Sequence, residues 1–141
     1  MKLFDTNVLV HAVNVGAAQH ARAVLALREA YVAGPVGLPW QVLLGFMRIT
    51  TRSGILPMPL TIEQALDVVH RWLEHPATHS PHPGPRHAAI LGRLLVGAGR
   101  GGNLVPDAHL AALAIEHEGE LLTFDRDFGQ FAGLRWILLT P

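Results

Sequence analysis

Short apolar segments alternate along this chain with longer segments of helical periodicity, and none of the apolar segments is paired as a tandem hairpin. Strands that are separated by helices form a mostly parallel sheet with helices on both faces. We therefore predict an α/β fold: a three-layer sandwich with a mostly parallel central sheet flanked by helices, in one domain that spans residues 1–141. The predicted strands are Lys2 to Phe4, Val36 to Leu38, a weak strand around Thr78, Glu120 to Phe124, and Trp136 to Leu139.

The predicted helices follow from apolar residues that recur every three or four positions. Thr61 and Gln64 form a capping box at the start of one helix, and Pro39 opens another that Gly54 stops. A first short helix follows Asp5. The other predicted helices run from Ala17 to about Val32, from Pro39 to Gly54, from Thr61 to Pro76, from Arg86 to about Val96, and from Pro106 to Gly119.

The composition excludes several classes of protein. Cysteine is absent, which rules out a disulfide scaffold and thiolate metal sites. No apolar run approaches the roughly 18 residues that span a bilayer, and Asp5 comes too early for a signal peptide. We expect a cytoplasmic protein with no membrane contact. Because the formal net charge is zero, any attraction to phosphate is expected to be local.

Acidic residues occur where a parallel sheet places its ligand site. Asp5 follows the first predicted strand and Asp125 follows Leu121 to Phe124, and the carboxyl ends of such strands meet at one edge of the sheet. Asp107, in the first turn of a predicted helix, is expected at the same rim. Three converging carboxylates repel one another unless a cation compensates them, which favours Mg²⁺ or Mn²⁺. Such an ion activates water and neutralises charge on a phosphodiester. Asp127 is expected to bind a second ion or to orient the water.

Each of these acids also has an ordinary structural explanation, which stays open at this point. Asp107 is favoured near a helix start by the helix macrodipole. Asp125 and Asp127 are suited to turns and caps. The sequence therefore predicts the metal site from the set of acids together and not from any one of them.

Three ordered motifs resemble the PIN domain, and within it the VapC-type toxin ribonucleases. They are Leu3-Phe4-Asp5-Thr6-Asn7-Val8-Leu9, Val105-Pro106-Asp107-Ala108-His109-Leu110-Ala111-Ala112-Leu113-Ala114, and Leu122-Thr123-Phe124-Asp125-Arg126-Asp127-Phe128. The resemblance implies a PIN-like fold and a metal-dependent endoribonuclease that acts as the toxin of a toxin–antitoxin pair. It also implies that Asp5, Asp107 and Asp125 are the catalytic metal ligands, with Asp127 as an auxiliary carboxylate and Asn7 and Thr123 as polar support.

The chain departs from this family at the third helix, where the family usually has a glutamate near the position of Gly45. No acid occurs between Glu29 and Glu63. Two consequences stay open: a single ion instead of two, or a weaker ion site in which Gln41 or water fills in. A catalytically weak or inactive PIN-like module that binds RNA or a protein is therefore the alternative function.

The resemblance also implies partners: an RNA substrate, a cognate antitoxin that binds an apolar groove between helices, and a second copy of the chain in a homodimer. Arginine supplies ten of the eleven cationic side chains and suits bidentate phosphate contact. The candidates for RNA binding are Arg48, Arg100 and Arg126. Arg100 lies in the glycine-rich segment Gly97 to Asn103, which follows a helix and not a strand, so it does not predict a dinucleotide site.

Two other readings of the sequence fail on residue types and spacing. A haloacid-dehalogenase-type phosphatase or a response-regulator receiver needs a lysine distal to the first acid, but Lys2 is the only lysine and precedes it. The histidines His75, His79, His82 and His87 are interrupted by prolines and match no common zinc spacing, so we expect a solvated loop there.

Overall fold

The computed structural model describes residues 1–141 and contains five strands, six α-helices and two short 3-10 helices. The strands are β1 (Lys2–Phe4), β2 (Val36–Gly37), β3 (Thr78–His79), β4 (Glu120–Thr123) and β5 (Trp136–Leu138). The α-helices are α1 (Thr6–Val13), α2 (His20–Ala33), α3 (Trp40–Thr51), α4 (Ile62–Glu74), α5 (His87–Ala98) and α6 (Val105–Glu116), and the 3-10 helices are Gly102–Leu104 and Arg126–Gln130.

The strands form one sheet in the order β3-β2-β1-β4-β5, and every neighbouring pair is parallel. The chain first builds outward from β1 through β2 to β3, and then crosses back to place β4 and β5 on the other side of β1. The strand order therefore reverses between β1 and β4. In open parallel sheets this switch point, at the carboxyl ends of the strands, is where ligands bind.

Helices cover the sheet and confirm the predicted α/β sandwich. α1 packs against α2 and α3, α3 packs against α4, and α5 packs against α6. α6 is buried around most of its circumference: Ala108, Ala111, Ala112 and Ala114 have no exposed surface, and small side chains allow this close approach. These alanines belong to a single core of 30 buried residues that extends across the central strands.

The turn between α6 and β4 depends on a glycine. A Cβ at Gly119 would lie 2.3 Å from Leu3 Cδ1 and 3.0 Å from the Met1 carbonyl oxygen. The residue before it, Glu118, has a positive φ of 54°, and the Gly119 N–H donates to the Ala114 carbonyl. The helix therefore ends with a left-handed residue and enters β4 against the first strand.

Three predicted helix boundaries were wrong. α2 begins at His20 and not at Ala17, because residues 14–17 close a turn in which the Ala17 N–H donates to the Asn14 carbonyl. α3 ends at Thr51 and not at Gly54, because the chain reverses so that the Thr50 carbonyl accepts from Leu60. α6 ends at Glu116, three residues before the predicted Gly119. None of the helices has the length and apolar character needed to cross a membrane.

Candidate active site

Asp5 lies at the carboxyl end of β1, where α1 begins. Its Oδ1 accepts a hydrogen bond of 2.7 Å from the Thr6 backbone N–H, so the carboxylate caps the helix. Its Oδ2 accepts hydrogen bonds from the Asn7 side-chain amide at 2.9 Å and from the Thr123 hydroxyl at 2.8 Å. Burial raises the pKa of Asp5 and the charge of Asp125 also raises it, whereas the hydrogen bonds to the carboxylate lower it. Asp5 is a partly buried carboxylate whose two oxygens are both held by hydrogen bonds.

Asn7 and Thr123 connect the two central strand ends around Asp5. The Asn7 Nδ2 also lies 3.3 Å from Thr123 Oγ1, and the Asn7 Oδ1 accepts from the Phe124 N–H at 3.3 Å. Thr123 is fully buried, and its hydroxyl oxygen accepts from the Asp125 N–H at 3.0 Å. The two side chains thus occupy the supporting positions around Asp5 that the sequence predicts.

A cleft of about 560 Å³ opens beside Asp5, between α3 and the first turn of α6. Asp107 lies in that first turn and faces the same cleft. Its carboxylate forms no ion pair and accepts no side-chain or backbone hydrogen bond. The polar side chains that line the cleft are Asp5, Thr6, Gln41, Arg48 and Asp107.

The electrostatics of Asp107 indicate uncompensated negative charge. Burial, followed by the charges of Asp5, Asp125 and Asp127 in that order, together raise the pKa of Asp107 to about 6. The four carboxylates are therefore close enough to one another to interact electrostatically. Because no cation of the protein pairs with them, the favoured ligand is a positively charged one.

Asp125 and Asp127 lie at the edge of this region and not in the cleft lining. Asp125 Oδ1 accepts from the Asp127 N–H at 2.8 Å, which caps the 3-10 helix Arg126–Gln130. Asp127 is exposed to solvent, and its carbonyl accepts from the Gln130 side-chain amide. The capping role that the sequence left open for Asp125 is therefore present, alongside its proximity to Asp5.

The donor chemistry of the site fits a hard divalent cation, because it offers carboxylate oxygens without a protein countercharge. The arrangement is not preassembled: no group of three or more His, Cys, Asp or Glu side chains is close enough, as it stands, to hold a metal ion. Asp5 and Asp107 share the cleft, and an ion between them would have to draw Asp125 or water into its coordination.

The three arginines predicted for RNA binding occupy different places. Arg48 lines the cleft from α3. Arg100 donates to the Gln130 side chain at 3.3 Å, beside the 3-10 helix that carries Asp127. Arg126 begins that 3-10 helix and is exposed. Arg48 is thus in the cleft itself, and the other two belong to the segments around its acidic edge.

Sequence reasoning did not find how α3 shapes the cleft. Gln41 Nε2 donates to the Pro106 carbonyl at 2.9 Å, which joins the start of α3 to the start of α6 next to Asp107. Gln41, Gly45 and Arg48 are spaced four and three residues apart, so they share one helix face. This spacing could have predicted a shared helix face from the sequence. No local pattern, however, predicts which other element that face contacts.

The prediction of a solvated histidine loop was wrong for His87. This residue begins α5, is only 8% exposed, and its Nε2 lies 2.9 Å from His109 Nδ1 on α6. Its Nδ1 lies 3.4 Å from the Glu116 carboxylate, which also accepts from the Gly84 and Arg86 N–H groups. The Gly84 hydrogen bond, foremost among these contacts, lowers the pKa of Glu116. These contacts join the start of α5 to α6. Because Glu116 is about 30 residues from Gly84 and Arg86 in the chain, no local sequence pattern predicts them.

The fold is similar to that of solved VapC-type structures. VapBC2 from Rickettsia felis, bound to a DNA fragment from its promoter, superposes with a TM-score of 0.71 at 18% identity over 99% of this chain and 98% of that one. VapC20 from Mycobacterium tuberculosis, described as a sarcin-ricin loop cleaving toxin, gives a TM-score of 0.69 at 18% identity over the full length of both chains. At this level of identity the likeness establishes the fold alone.

Comparison with related sequences identifies the family. The family model described as PIN domain matches residues 2–134. Ribonuclease VapC37 of Mycobacterium tuberculosis is 45% identical over 96% of this chain and 95% of its own length. Ribonuclease VapC43 of the same species is 38% identical over 96% of this chain and 93% of its own length. The chain therefore belongs to the PIN domain family, in the branch of the VapC ribonucleases.

Proposed function

We propose that this chain is a divalent-metal-dependent endoribonuclease, the toxin component of a type II toxin–antitoxin system that acts in the cytoplasm. The observation that carries the proposal is Asp107: a half-buried carboxylate with a pKa raised to about 6, facing Asp5 in a cleft and paired with no cation. The family membership and the relatives named as ribonucleases support the choice of RNA as substrate.

The chemistry proposed is hydrolysis of an RNA phosphodiester that leaves 5′-phosphate and 3′-hydroxyl ends. A bound Mg²⁺ or Mn²⁺ would supply a Lewis acid that activates water and offsets charge on the phosphate. Asp5 and Asp107 would hold it, with Asp125 and Asp127 completing or extending its coordination. Thr123 and Asn7 fix the orientation of Asp5, because both donate to its Oδ2. The strand junction thus holds the Asp5 carboxylate in place, whereas no hydrogen bond or ion pair holds that of Asp107.

Arg100 and Arg126 are proposed to guide the RNA backbone along the acidic edge. Both lie in or against the 3-10 helix Arg126–Gln130, beyond the carboxylates. Arginine binds phosphate through a planar fork, and each contact of this kind makes RNA affinity depend on salt. These two arginines next to the carboxylates would attract the RNA phosphates without competing with the carboxylates for the metal ion.

An antitoxin is the proposed protein partner, and the structure offers an apolar groove for it. The groove has a volume of about 250 Å³ and lies between α1, α2 and α4. It is lined by Ala12, Val13, Val24, Leu27, Val68, Arg71 and Trp72. An apolar groove of this kind suits an extended or helical peptide segment. A homodimer is proposed on family membership alone.

The test is cleavage of total RNA by the purified chain with Mg²⁺, Mn²⁺ or EDTA, followed by sequencing of the new RNA ends. We expect cleavage with either metal, none with EDTA, and none from Asp5→Asn. We also expect growth arrest on expression that an antitoxin relieves. Absence of cleavage by the wild-type chain with any divalent ion would contradict the enzyme proposal.

The alternative, a PIN-like module without efficient catalysis, is favoured by one observation. The acids do not form a ready metal site, and α3 contributes no carboxylate to the cleft. Such a module would bind RNA or a protein without cutting RNA. The same cleavage assay separates it from the enzyme, because binding without new RNA ends supports the module.

A further inference from the structure

The two sides of the cleft carry opposite charge. Asp5 and Asp107 face it from the end of β1 and the start of α6, whereas α3 contributes Gln41, Gly45 and Arg48. The three α3 residues share one helix face, and no acid occurs on this helix. The cleft therefore has a carboxylate side suited to a cation and an α3 side suited to an anion.

Gly45, on the α3 side of the cleft, packs closely against Thr6. A Cβ at Gly45 would lie 2.9 Å from Thr6 Oγ1 and 3.0 Å from Thr6 Cγ2. The backbone N–H of Thr6 donates to Asp5 Oδ1, so Thr6 lies between Gly45 and that carboxylate in the chain of contacts. A side chain at Gly45 would therefore have to displace side-chain atoms of Thr6, the residue whose backbone N–H donates to Asp5. Packing against Thr6 thus disfavours any side chain at position 45, an acid included.

Gln41 connects the two sides of the cleft. Its Nε2 donates to the Pro106 carbonyl, one residue before Asp107, and its Oε1 is buried without a hydrogen-bond donor. Rotating the amide would turn the carbonyl oxygen toward another carbonyl, so this orientation is the only one that makes the contact. The start of α3 is therefore hydrogen-bonded to the start of α6 at the edge of the cleft.

Arg48 is the one arginine of the cleft, and its guanidinium forms no ion pair or side-chain hydrogen bond. Six of the other arginines are engaged by protein groups: Arg22, Arg71, Arg86, Arg93, Arg100 and Arg135. Arg48 shares the cleft with two carboxylates and yet pairs with neither. Its five N–H donors stay free for an anionic ligand that enters the cleft.

We propose that Arg48 forms a phosphate subsite on the α3 side and binds the non-bridging oxygens of the RNA phosphodiester opposite Asp5 and Asp107. The proposal rests on the proposed ribonuclease function and deepens it. The guanidinium supplies on one side of the phosphate the positive charge that a second metal ion would otherwise bring. The site would then need only one divalent ion per chain, held on the carboxylate side by Asp5 and Asp107.

RNA binding without metal tests the subsite directly. The probe is a short single-stranded RNA of mixed sequence, titrated in EDTA at several salt concentrations. Arg48→Gln is expected to weaken binding about 10-fold and to reduce the salt slope by about one, because one phosphate contact is lost. Arg48→Lys is expected to recover part of the affinity, since it keeps the charge and loses the bidentate geometry. Arg28→Gln, at an exposed and unpaired arginine of α2 outside the cleft, is the matched control and is expected to bind as the wild type does.

Metal titration tests the ion count independently of activity. Calorimetric titration with Mn²⁺ is expected to give one ion per chain in both the wild type and Arg48→Gln. Two ions per chain, wild-type RNA affinity in Arg48→Gln, or equal losses in Arg48→Gln and Arg28→Gln would each overturn the proposal. If the wild type cuts RNA and Arg48→Gln still binds it normally, the subsite fails while the ribonuclease function stands. If Arg48→Gln loses RNA binding and no divalent ion supports cleavage by the wild type, the function fails and the subsite stands.

Discussion

The Thr123 hydroxyl donates a 2.8 Å hydrogen bond to Asp5 Oδ2 across the junction of β4 and β1. The same hydroxyl oxygen accepts from the Asp125 N–H at 3.0 Å, so one buried side chain holds the Asp5 carboxylate and the backbone of Asp125, the two acids that follow adjacent strands. Its position depends on the parallel register of these strands, in which Phe4 lies opposite Leu122. The arrangement makes Thr123 the most direct place to test the site.

Thr123→Val replaces the hydroxyl with a methyl group of similar shape. Asp5 Oδ2 and the Asp125 N–H both lose a partner in a buried setting, so the free energy of unfolding should fall by about 1–3 kcal/mol. RNA cleavage should fall about 10- to 100-fold, because the carboxylate is no longer held in place. Chemical denaturation and a single-turnover cleavage assay measure the two effects. Thr123→Ser keeps the hydroxyl and is expected to retain most of the activity, and equal losses in both variants would contradict an orienting role.

Asp107→Asn should stabilise the metal-free chain at neutral pH. The folded-state pKa of about 6 lies above the ordinary 3.8, so the folded chain binds more protons than the unfolded chain between these values. The free energy of unfolding of the wild type therefore falls as the pH rises from about 4 to 6 and Asp107 loses its proton, whereas Asn at this position has no proton to lose. Solvent screening at this half-buried position limits the expected gain from Asn to about 1 kcal/mol at pH 7.5. Thermal unfolding in EDTA measures it, and the difference should vanish below pH 4.

Divalent ions should stabilise the wild type and fail to stabilise Asp5→Asn. A ligand that binds only the folded state adds about 2.7 kcal/mol at a concentration of 100 times its dissociation constant. The melting temperature should therefore rise with Mg²⁺ or Mn²⁺ and return to its starting value with EDTA. Glu63→Gln, an exposed acid on α4 outside the cleft, serves as the control and should respond to the ions as the wild type does. An unchanged melting temperature of the wild type in saturating Mn²⁺ would contradict the proposed metal site.

The sequence was sufficient to predict the layered α/β fold and the proximity of Asp5 to Asp125. Both follow from strand ends in a parallel sheet, a relation that depends only on the order of elements. Asp107 could be added because a helix that starts with Pro106 has its first turn at the same rim. These predictions needed no knowledge of how individual side chains pack.

The rest of the site depends on contacts between residues that are distant in the chain. Gly45 meets Thr6, and Gln41 meets the carbonyl of Pro106, yet no local pattern pairs these positions. His87 lies in a run of histidines and prolines that predicted a solvated loop, but tertiary contact with Glu116 buries it. Packing of this kind overrides composition, so the shape of the cleft required the three-dimensional structure.

Val24→Asp should separate antitoxin binding from catalysis. Val24 lines the apolar groove between α1, α2 and α4, and a charge there would lose its hydration when a partner segment covers the groove. Coexpression with the antitoxin should no longer relieve growth arrest, and affinity for the purified antitoxin should fall at least about 100-fold, as expected for a buried unpaired charge of about 3 kcal/mol. RNA cleavage should be unchanged. Ile62→Asp, on the exposed surface of α4 outside the groove, should leave neutralisation intact.

Gly45→Ala should destabilise the chain and reduce cleavage, and Thr6→Ala should partly rescue both. The new Cβ would lie 2.9 Å from Thr6 Oγ1 and 3.0 Å from Thr6 Cγ2, and overpacking of this kind costs about 1–3 kcal/mol against a helix-propensity gain of about 1 kcal/mol. Removing both Thr6 atoms gives the Cβ room, so the double-mutant cycle should show a favourable coupling energy of at least about 0.5 kcal/mol. Chemical denaturation of the four chains measures it. If the effects of the two substitutions were simply additive, the contact between position 45 and Thr6 would not cause the loss of stability. The position of Asp5 would then not depend on glycine at position 45.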